Sequence, residues 1–266
     1  MLVVLLTAKF FIYSTPVNHL EVIKYNKQAR KTDVSTDKYY SSLNFANEDI
    51  PTHDKWVKKR IKKMLKAHSY ENLQTTILHR KAAVYFPIIE PILQFYGIPE
   101  DFKYLPLVES GLKGGTSPKG ASGYWQFMPQ TARDFGLRVD SAIDERQKIK
   151  KSTIAACKYL RSLHREFGSW TLAAAAYNIG EGSLKRQMNR QNQDDYYSMR
   201  LNRETATYVY KLISMKEIIE NPKLYGYKGK AAKLLAKANV KPKKEYSHFN
   251  PIAENTALLT QQFKRN

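Results

Sequence analysis

Apolar residues in this chain recur at the period of a helix and almost never alternate as a strand would, so the fold class is mainly α. From Pro51 to Lys66, Val57, Ile61, Met64 and Leu65 share one face, while Lys58, Lys59, Arg60, Lys62, Lys63 and Lys66 take the rest. This predicts an amphipathic helix with a basic outer surface, either solvated lysines on a packed helix or a contact surface for lipid or wall polymer. A second helix is expected over 71–85, followed by the apolar segment FPIIEPILQFYG, which Gly97 would stop. Asp144 and Gln147 stand at capping-box spacing ahead of a face formed by Ile154, Cys157, Leu160, Leu163 and Phe167. Ser169 can cap a helix over 170–177 that contains four consecutive alanines and is ended by Asn178 and Gly180. Asn202 can cap the last strong helix, 203–220, on which Tyr208, Leu212, Met215 and Ile219 fall together and which Pro222 ends.

Between these helices lies LPLVESGLKGGTSPKGASGYWQFMPQTARDFGL, residues 105–137. Five of the chain's twelve glycines, Gly111, Gly114, Gly115, Gly120 and Gly123, fall inside it within thirteen residues, a density that marks backbone passing close to something. Phe102, Leu105, Leu107 and Val108 lead into Glu109 at helical spacing, with Pro99 suited to the first turn and Gly111 to the stop. Glu109 is then a last-turn glutamate. Carbonyl dipoles and apolar neighbours both raise the pKa of such a carboxyl, which suits a general acid near neutral pH. A short helix over 129–135 would be capped by Gly136. Glu90, between Ile89 and Pro91, reads as structural because nothing around it repeats the loop chemistry.

A Glu-Ser pair alone is an ordinary helix end; its weight comes from three segments downstream of it at fixed distance. Gly123-Tyr124-Trp125-Gln126-Phe127-Met128-Pro129 carries two aromatics, Tyr124 and Trp125, as flat apolar contact faces or as core, and Gln126 as donor and acceptor, with Phe127 and Met128 expected in the core. Ala176-Tyr177-Asn178-Ile179-Gly180 comes next, then Glu204-Thr205 and Tyr208-Val209. In this order and spacing, Glu-Ser, Gly-x-x-Gln-x-x-Pro, Ala-Tyr-Asn-x-Gly and the late Tyr-Val resemble the Slt-type lytic transglycosylase family over about Ile50 to Pro222. The resemblance implies a lysozyme-like helical fold that cleaves the MurNAc-GlcNAc bond of peptidoglycan and leaves a 1,6-anhydromuramyl end. It further implies Glu109 as acid and then base, Ser110 as an orienting hydroxyl, and Tyr124, Trp125, Gln126, Tyr177 and Asn178 as saccharide contacts. Tyr208 would hydrogen-bond near Glu109.

Ordinary glycoside hydrolysis needs two carboxylates, and the motif stretch supplies Glu109 alone. A lysozyme-like hydrolase would bring Asp101, Asp134, Asp140 or Asp144 to face Glu109; a non-catalytic wall-binding scaffold is the remaining alternative. The net charge of +20 favours a polyanionic partner without choosing one. The reading taken is peptidoglycan glycan strands as substrate, anionic membrane or wall polymer against the basic segments, no nucleic acid, and a monomer. Six histidines and one cysteine show no metal-ligand spacing, and no glycine-rich phosphate loop occurs, so no metal or cofactor is expected. Residues 1–20 are read as an export signal or short anchor, with a buried strand or helix as the alternative, and the protein is placed in the periplasm or cell envelope. Residues 21–49 are read as a polar linker, 50–222 as the catalytic domain and 223–266 as a basic tail.

Overall fold

The computed structural model describes residues 36–74 and 76–227. The chain divides into two compact units, Met1–Tyr39 and Tyr40–Asn266. Of the first, residues 36–39 are described, and they open a short helix, Asp37–Ser41. The readings placed on residues 1–35 and 228–266 lie outside the described residues. No helix among the described residues is long and apolar enough to cross a membrane.

The second unit is helical: α1 (Lys55–His68), α2 (Ile77–Phe95), α3 (Leu105–Ser110), α4 (Pro129–Asp134), α5 (Ile149–Phe167), α6 (Trp170–Ile179), α7 (Glu181–Gln191) and α8 (Thr205–Glu220). Helix α8 is the hub. Tyr208, Val209, Tyr210, Leu212, Ile213, Met215, Ile218 and Ile219 are all buried, so it is apolar nearly all round and packs against α1, α2, α3 and α6. Helix α5 closes the core over α2 and α6, where Ala173, Ala174, Ala175 and Ala176 are fully buried and let neighbouring backbones approach.

Capping follows the sequence in most places. Asp54 Oδ1 accepts from Trp56 N at 2.7 Å and Val57 N at 2.9 Å, so α1 starts at Lys55. Ser169 Oγ accepts from Leu172 N at 3.2 Å at the head of α6. Asn202 Oδ1 accepts from Thr205 N at 3.0 Å at the head of α8.

Three expectations change. The helix expected over 71–85 is instead a single turn, Tyr70–Leu73, broken at Gln74 with φ of 48°, after which α2 begins afresh and runs through both Pro87 and Pro91. Each proline removes one backbone hydrogen bond, and burial of Ile88, Ile89, Ile92 and Leu93 around them outweighs that loss. Asp144 does not cap α5; it caps a 3-10 turn, Glu145–Gln147, through Arg146 N at 3.1 Å. Lastly, residues 40–49 belong to the second unit and not to a linker. Tyr40, Leu43, Phe45 and Ala46 are buried, and Asn44–Phe45 pairs antiparallel with Glu48–Asp49. Two-residue strands are too short to show alternation, which is why the sequence concealed them.

The hairpin matters to α6. Glu48 accepts from Trp170 N at 2.6 Å, Thr171 N at 2.9 Å and Ser169 Oγ at 2.9 Å, placing a carboxylate on the positive end of that helix.

Candidate active site

Glu109 is carried by a short helix that the sequence had drawn as one with its lead-in. Residues Glu100–Tyr104 form a 3-10 segment, and α3 starts anew at Leu105 with Pro106 in its first turn. Gly111, at φ of 59°, ends it as expected and leaves Glu109 in the last turn. Glu90 is structural, its carboxylate 3.0 Å from Lys103 Nζ.

The hydroxyl of Tyr208, itself only 2% exposed, donates to one oxygen of the Glu109 carboxylate. No protein partner among the described residues engages the other oxygen. Burial raises the Glu109 pKa to about 7; the Tyr208 bond and the charge of Lys211 pull it down, and the Glu204 carboxylate pushes it up. The dominant cause is loss of solvent at the carboxyl. The acid form therefore persists to far higher pH than in a solvated glutamate.

The glycine-rich loop is fixed from both ends. Ser110 Oγ lies 2.8 Å from Tyr124 O and 3.0 Å from Pro106 O and accepts from Lys113 N, so it ties the end of α3 to the loop. Ser122 and Phe127 exchange backbone hydrogen bonds at 3.0 and 3.1 Å. Between them Gly123 has φ of 78°, and a Cβ there would lie 1.9 Å from the Arg146 carbonyl oxygen, so only glycine fits. Arg146 is buried and donates to Gly120 O at 2.8 Å and Phe127 O at 2.9 Å, while its Nη2 pairs with Asp144 at 2.7 Å. Gln147 spans the loop too, accepting from Gly115 N at 3.0 Å and donating to Ser122 Oγ at 2.6 Å.

The residues assigned to saccharide contact separate into two groups. Trp125 must be corrected: it is 0% exposed and its Nε1 donates to Thr153 Oγ1 at 2.9 Å, so its ring is core and no sugar can reach it. Tyr177 is half-buried and donates to the Trp125 carbonyl at 2.7 Å; burial, with the Glu109 charge beside it, holds its hydroxyl protonated. Its ring also lies against those of Phe127 and Tyr159. Tyr124 stands half-buried, its ring 5.1 Å from that of Tyr85 and the two hydroxyls 3.3 Å apart, and burial pushes its pKa up to about 12.

Gln126 is half-buried at φ of 49° and donates to Gly123 O at 2.8 Å. Asn178 accepts from Thr205 Oγ1 at 2.7 Å and donates to Glu204 Oε1 at 3.3 Å, which links the end of α6 to the start of α8. Phe127 is core as expected, but Met128 is not: it is 46% exposed, because Pro129 turns the chain into α4 just after the Ser122–Phe127 pair.

Each of the four candidate aspartates is engaged away from Glu109 by a partner of its own. Asp101 holds Lys216 at 2.7 Å and Ala46 N at 2.7 Å, Asp140 holds Arg138, Asp144 holds Arg146, and Asp134 accepts from Gln130 at 2.7 Å. The carboxylate that acts on Glu109 is Glu204, exposed at the head of α8. Its signal in sequence was its position four residues before Tyr208, one helical turn away. Arg146 and Gln147 gave no signal of their own, since the Asp144-x-x-Gln147 spacing read as a cap. Among the described residues no three His, Cys, Asp or Glu side chains group to hold a metal.

The class defined by this fold and site is thus a helical domain with a half-buried glutamate, held by a tyrosine from the hub helix, beside a rigid glycine-rich loop. Comparison with known proteins agrees in particulars: residues 86–200 match the family model of the transglycosylase SLT domain, and the chain carries that domain. It is similar to membrane-bound lytic murein transglycosylase D of Escherichia coli K12, 32% identical over 218 residues, covering 77% of this chain and 47% of that protein. It is also similar to a putative tributyltin chloride resistance protein of Alteromonas sp. strain M-1, 34% identical over 111 residues, covering 41% of this chain and 54% of that protein. The chain spans about half the length of these curated relatives. The 70 kDa soluble lytic transglycosylase of Escherichia coli aligns in structure over 82% of this chain and 43% of its own, at 15% identity and a TM-score of 0.40.

Proposed function

We propose that this protein is a peptidoglycan lytic transglycosylase of lysozyme-like fold that cleaves the MurNAc-GlcNAc β-1,4 bond. The observation that carries the reading is the Glu109 carboxyl, raised to about 7 by burial and fixed through one oxygen by Tyr208. Protonated Glu109 gives its proton to the glycosidic oxygen as the bond from C1 of MurNAc breaks. The carboxylate left behind is stabilised by the Tyr208 hydroxyl and then takes the proton of the C6 hydroxyl, whose oxygen closes on C1. The proton count balances without water, so one carboxyl with a pKa near the working pH performs both transfers.

The other residues act around that centre. Ser110, Trp125 and Tyr177 hold the walls, by the hydrogen bonds to Tyr124 O, Thr153 Oγ1 and Trp125 O respectively. Tyr124, Gln126 and Asn178 present the groups that contact saccharide. The sites of action are glycan strands in the cell envelope, in keeping with the relative named as a membrane-bound murein transglycosylase, and the protein is exported to reach them.

The test is mass spectrometry of soluble products after incubation with peptidoglycan sacculi, with Glu109→Gln in parallel. Muropeptides lighter by one water than reducing-end counterparts, absent with the variant, are expected. Reducing ends instead would make the protein a hydrolase, with Glu204 as the carboxylate to substitute next, because it alone is felt at Glu109. Sacculus binding without release, equal in both proteins, would leave only a scaffold.

A further inference from the structure

Helix α1 carries a surface that the cleft does not use. Its inner face is fully engaged: Val57, Ile61 and Leu65 are buried, the Arg60 guanidinium lies 5.9 Å from the Tyr210 ring, and His68 Nδ1 is 2.6 Å from Ser214 Oγ. The outer face is of one sign. Lys55, Lys59, Lys62, Lys63 and Lys66 are exposed, and the helix contains no acidic residue. None of the five pairs with a carboxylate among the described residues. Lys55, Lys59, Lys63 and Lys66 fall at i, i+4, i+8 and i+11, one stripe along a helix about 20 Å long, while Lys62 Nζ lies 5.0 Å from the Tyr40 ring. At its head Trp56 is 70% exposed, with Lys59 Nζ 5.2 Å from its ring centroid.

We propose that this face of α1 docks on anionic lipid headgroups and holds the domain flat against a bilayer. Charge alone would suit any polyanion, so the indole decides. A bilayer surface offers a sheet of negative charge with an apolar layer just beneath it, and tryptophan settles at that boundary. Lysine stems lie along such a surface with their ammonium groups among the phosphates. A nucleic acid would be met more effectively by the planar forks of arginine, and the one arginine of this helix, the exposed Arg60, lies off the stripe and over the Tyr210 ring.

The geometry gives the docking a consequence. Tyr210 and Ser214, which meet α1, lie about 200° and 240° round α8 from Tyr208, counting about 100° per residue. Tyr208 points at Glu109, so α1 and the Glu109 carboxyl sit on opposite sides of the hub helix. Docking through α1 turns the Glu109 side of the hub helix away from the lipid. On the function proposed above, that is the direction from which glycan strands arrive.

The experiment is flotation of the full chain with vesicles of phosphatidylcholine alone or with about a third phosphatidylglycerol, with fluorescence quenching by brominated lipid as a second readout. Each lysine near an anionic surface is worth about fivefold in partition. K55Q/K59Q/K63Q/K66Q is therefore expected to lower partition to the anionic vesicles by a hundredfold or more, and neutral vesicles to bind neither protein. The control K119Q/K148Q/R186Q/R190Q removes equal charge from exposed positions elsewhere and is expected to cost less than tenfold. Lipid quenching is expected in the parent chain and lost in Trp56→Phe, because Trp125 is buried and the half-buried Trp170 has its ring stacked on His164 and edge-on to Phe102.

Unchanged melting and unchanged release from sacculi in the quadruple variant show that it folds and that the cleft is intact. Equal losses in the stripe and control variants, quenching that survives Trp56→Phe, or a stripe variant that floats like the parent would each overturn the proposal. So would loss of sacculus or nucleic-acid binding with lipid binding unchanged. A failure of the transglycosylase reading alters only the sacculus readout and leaves flotation as it is.

Discussion

The state of Glu109 makes a prediction in two coupled parts. A carboxyl whose pKa rises from 4.5 to about 7 on folding binds a proton more tightly in the native than in the unfolded chain. Stability from this group is therefore fully present below about pH 4.5, falls as pH rises through the interval, and is lost above about 7. The rise from 4.5 to about 7, at about 1.4 kcal/mol per pH unit, corresponds to about 3.5 kcal/mol, an upper figure because the side chain keeps some solvent contact. Glu109→Gln keeps the shape and removes the charge. The variant is expected to be more stable than the parent by about 2–3 kcal/mol at pH 8 and to show no gain at pH 4, measured by urea denaturation at both pH values. It should also be inactive on sacculi. A gain equal at both pH values would mean that the amide merely packs better, and no gain at pH 8 would mean that the carboxylate is not held in a desolvated site; either result refutes the reasoning.

Other perturbations probe the neighbours of Glu109. Tyr208→Phe removes the one hydrogen bond to the carboxylate, a charge-assisted contact worth about 1.5–3 kcal/mol. The alkaline limb of the pH-rate profile should move upward by about 1–2 units and the plateau fall about 10–100-fold; an unmoved limb would show that the tyrosine does not set the pKa. Trp125→Phe should lower stability by about 1–2 kcal/mol through the lost bond to Thr153, with KM for soluble glycan fragments nearly unchanged, whereas a true sugar platform would raise KM steeply. Gly123→Ala places a Cβ against the Arg146 carbonyl in a left-handed conformation, and a fall in activity larger than its loss of melting temperature is expected as the loop shifts. Glu48→Ala uncaps α6 and should cost about 1–2 kcal/mol in denaturant midpoint while sparing KM.

What could be read from sequence and what could not divide along a physical line. Helix faces were legible because periodicity repeats over many residues: Tyr208, Leu212, Met215 and Ile219 were placed together and are all buried. Glu109 was legible as a last-turn carboxyl because the αL stop at Gly111 is a local property of one residue. Failures came where long-range partners decide. Trp125 has the composition of a sugar platform, and only the position of Thr153 on α5 makes it core. Arg146 binds the loop from the inside across some twenty residues of chain, and no local pattern distinguishes such an arginine from a solvated one. Glu204 is the instructive case. Each of the four aspartates offered as second carboxylates has another partner in the structure. The carboxylate whose charge acts on Glu109 stands at the N-cap of the helix that also supplies Tyr208. One hub helix thus delivers a hydrogen bond that lowers the Glu109 pKa and a charge that raises it, and the balance left to burial keeps the proton available near neutral pH.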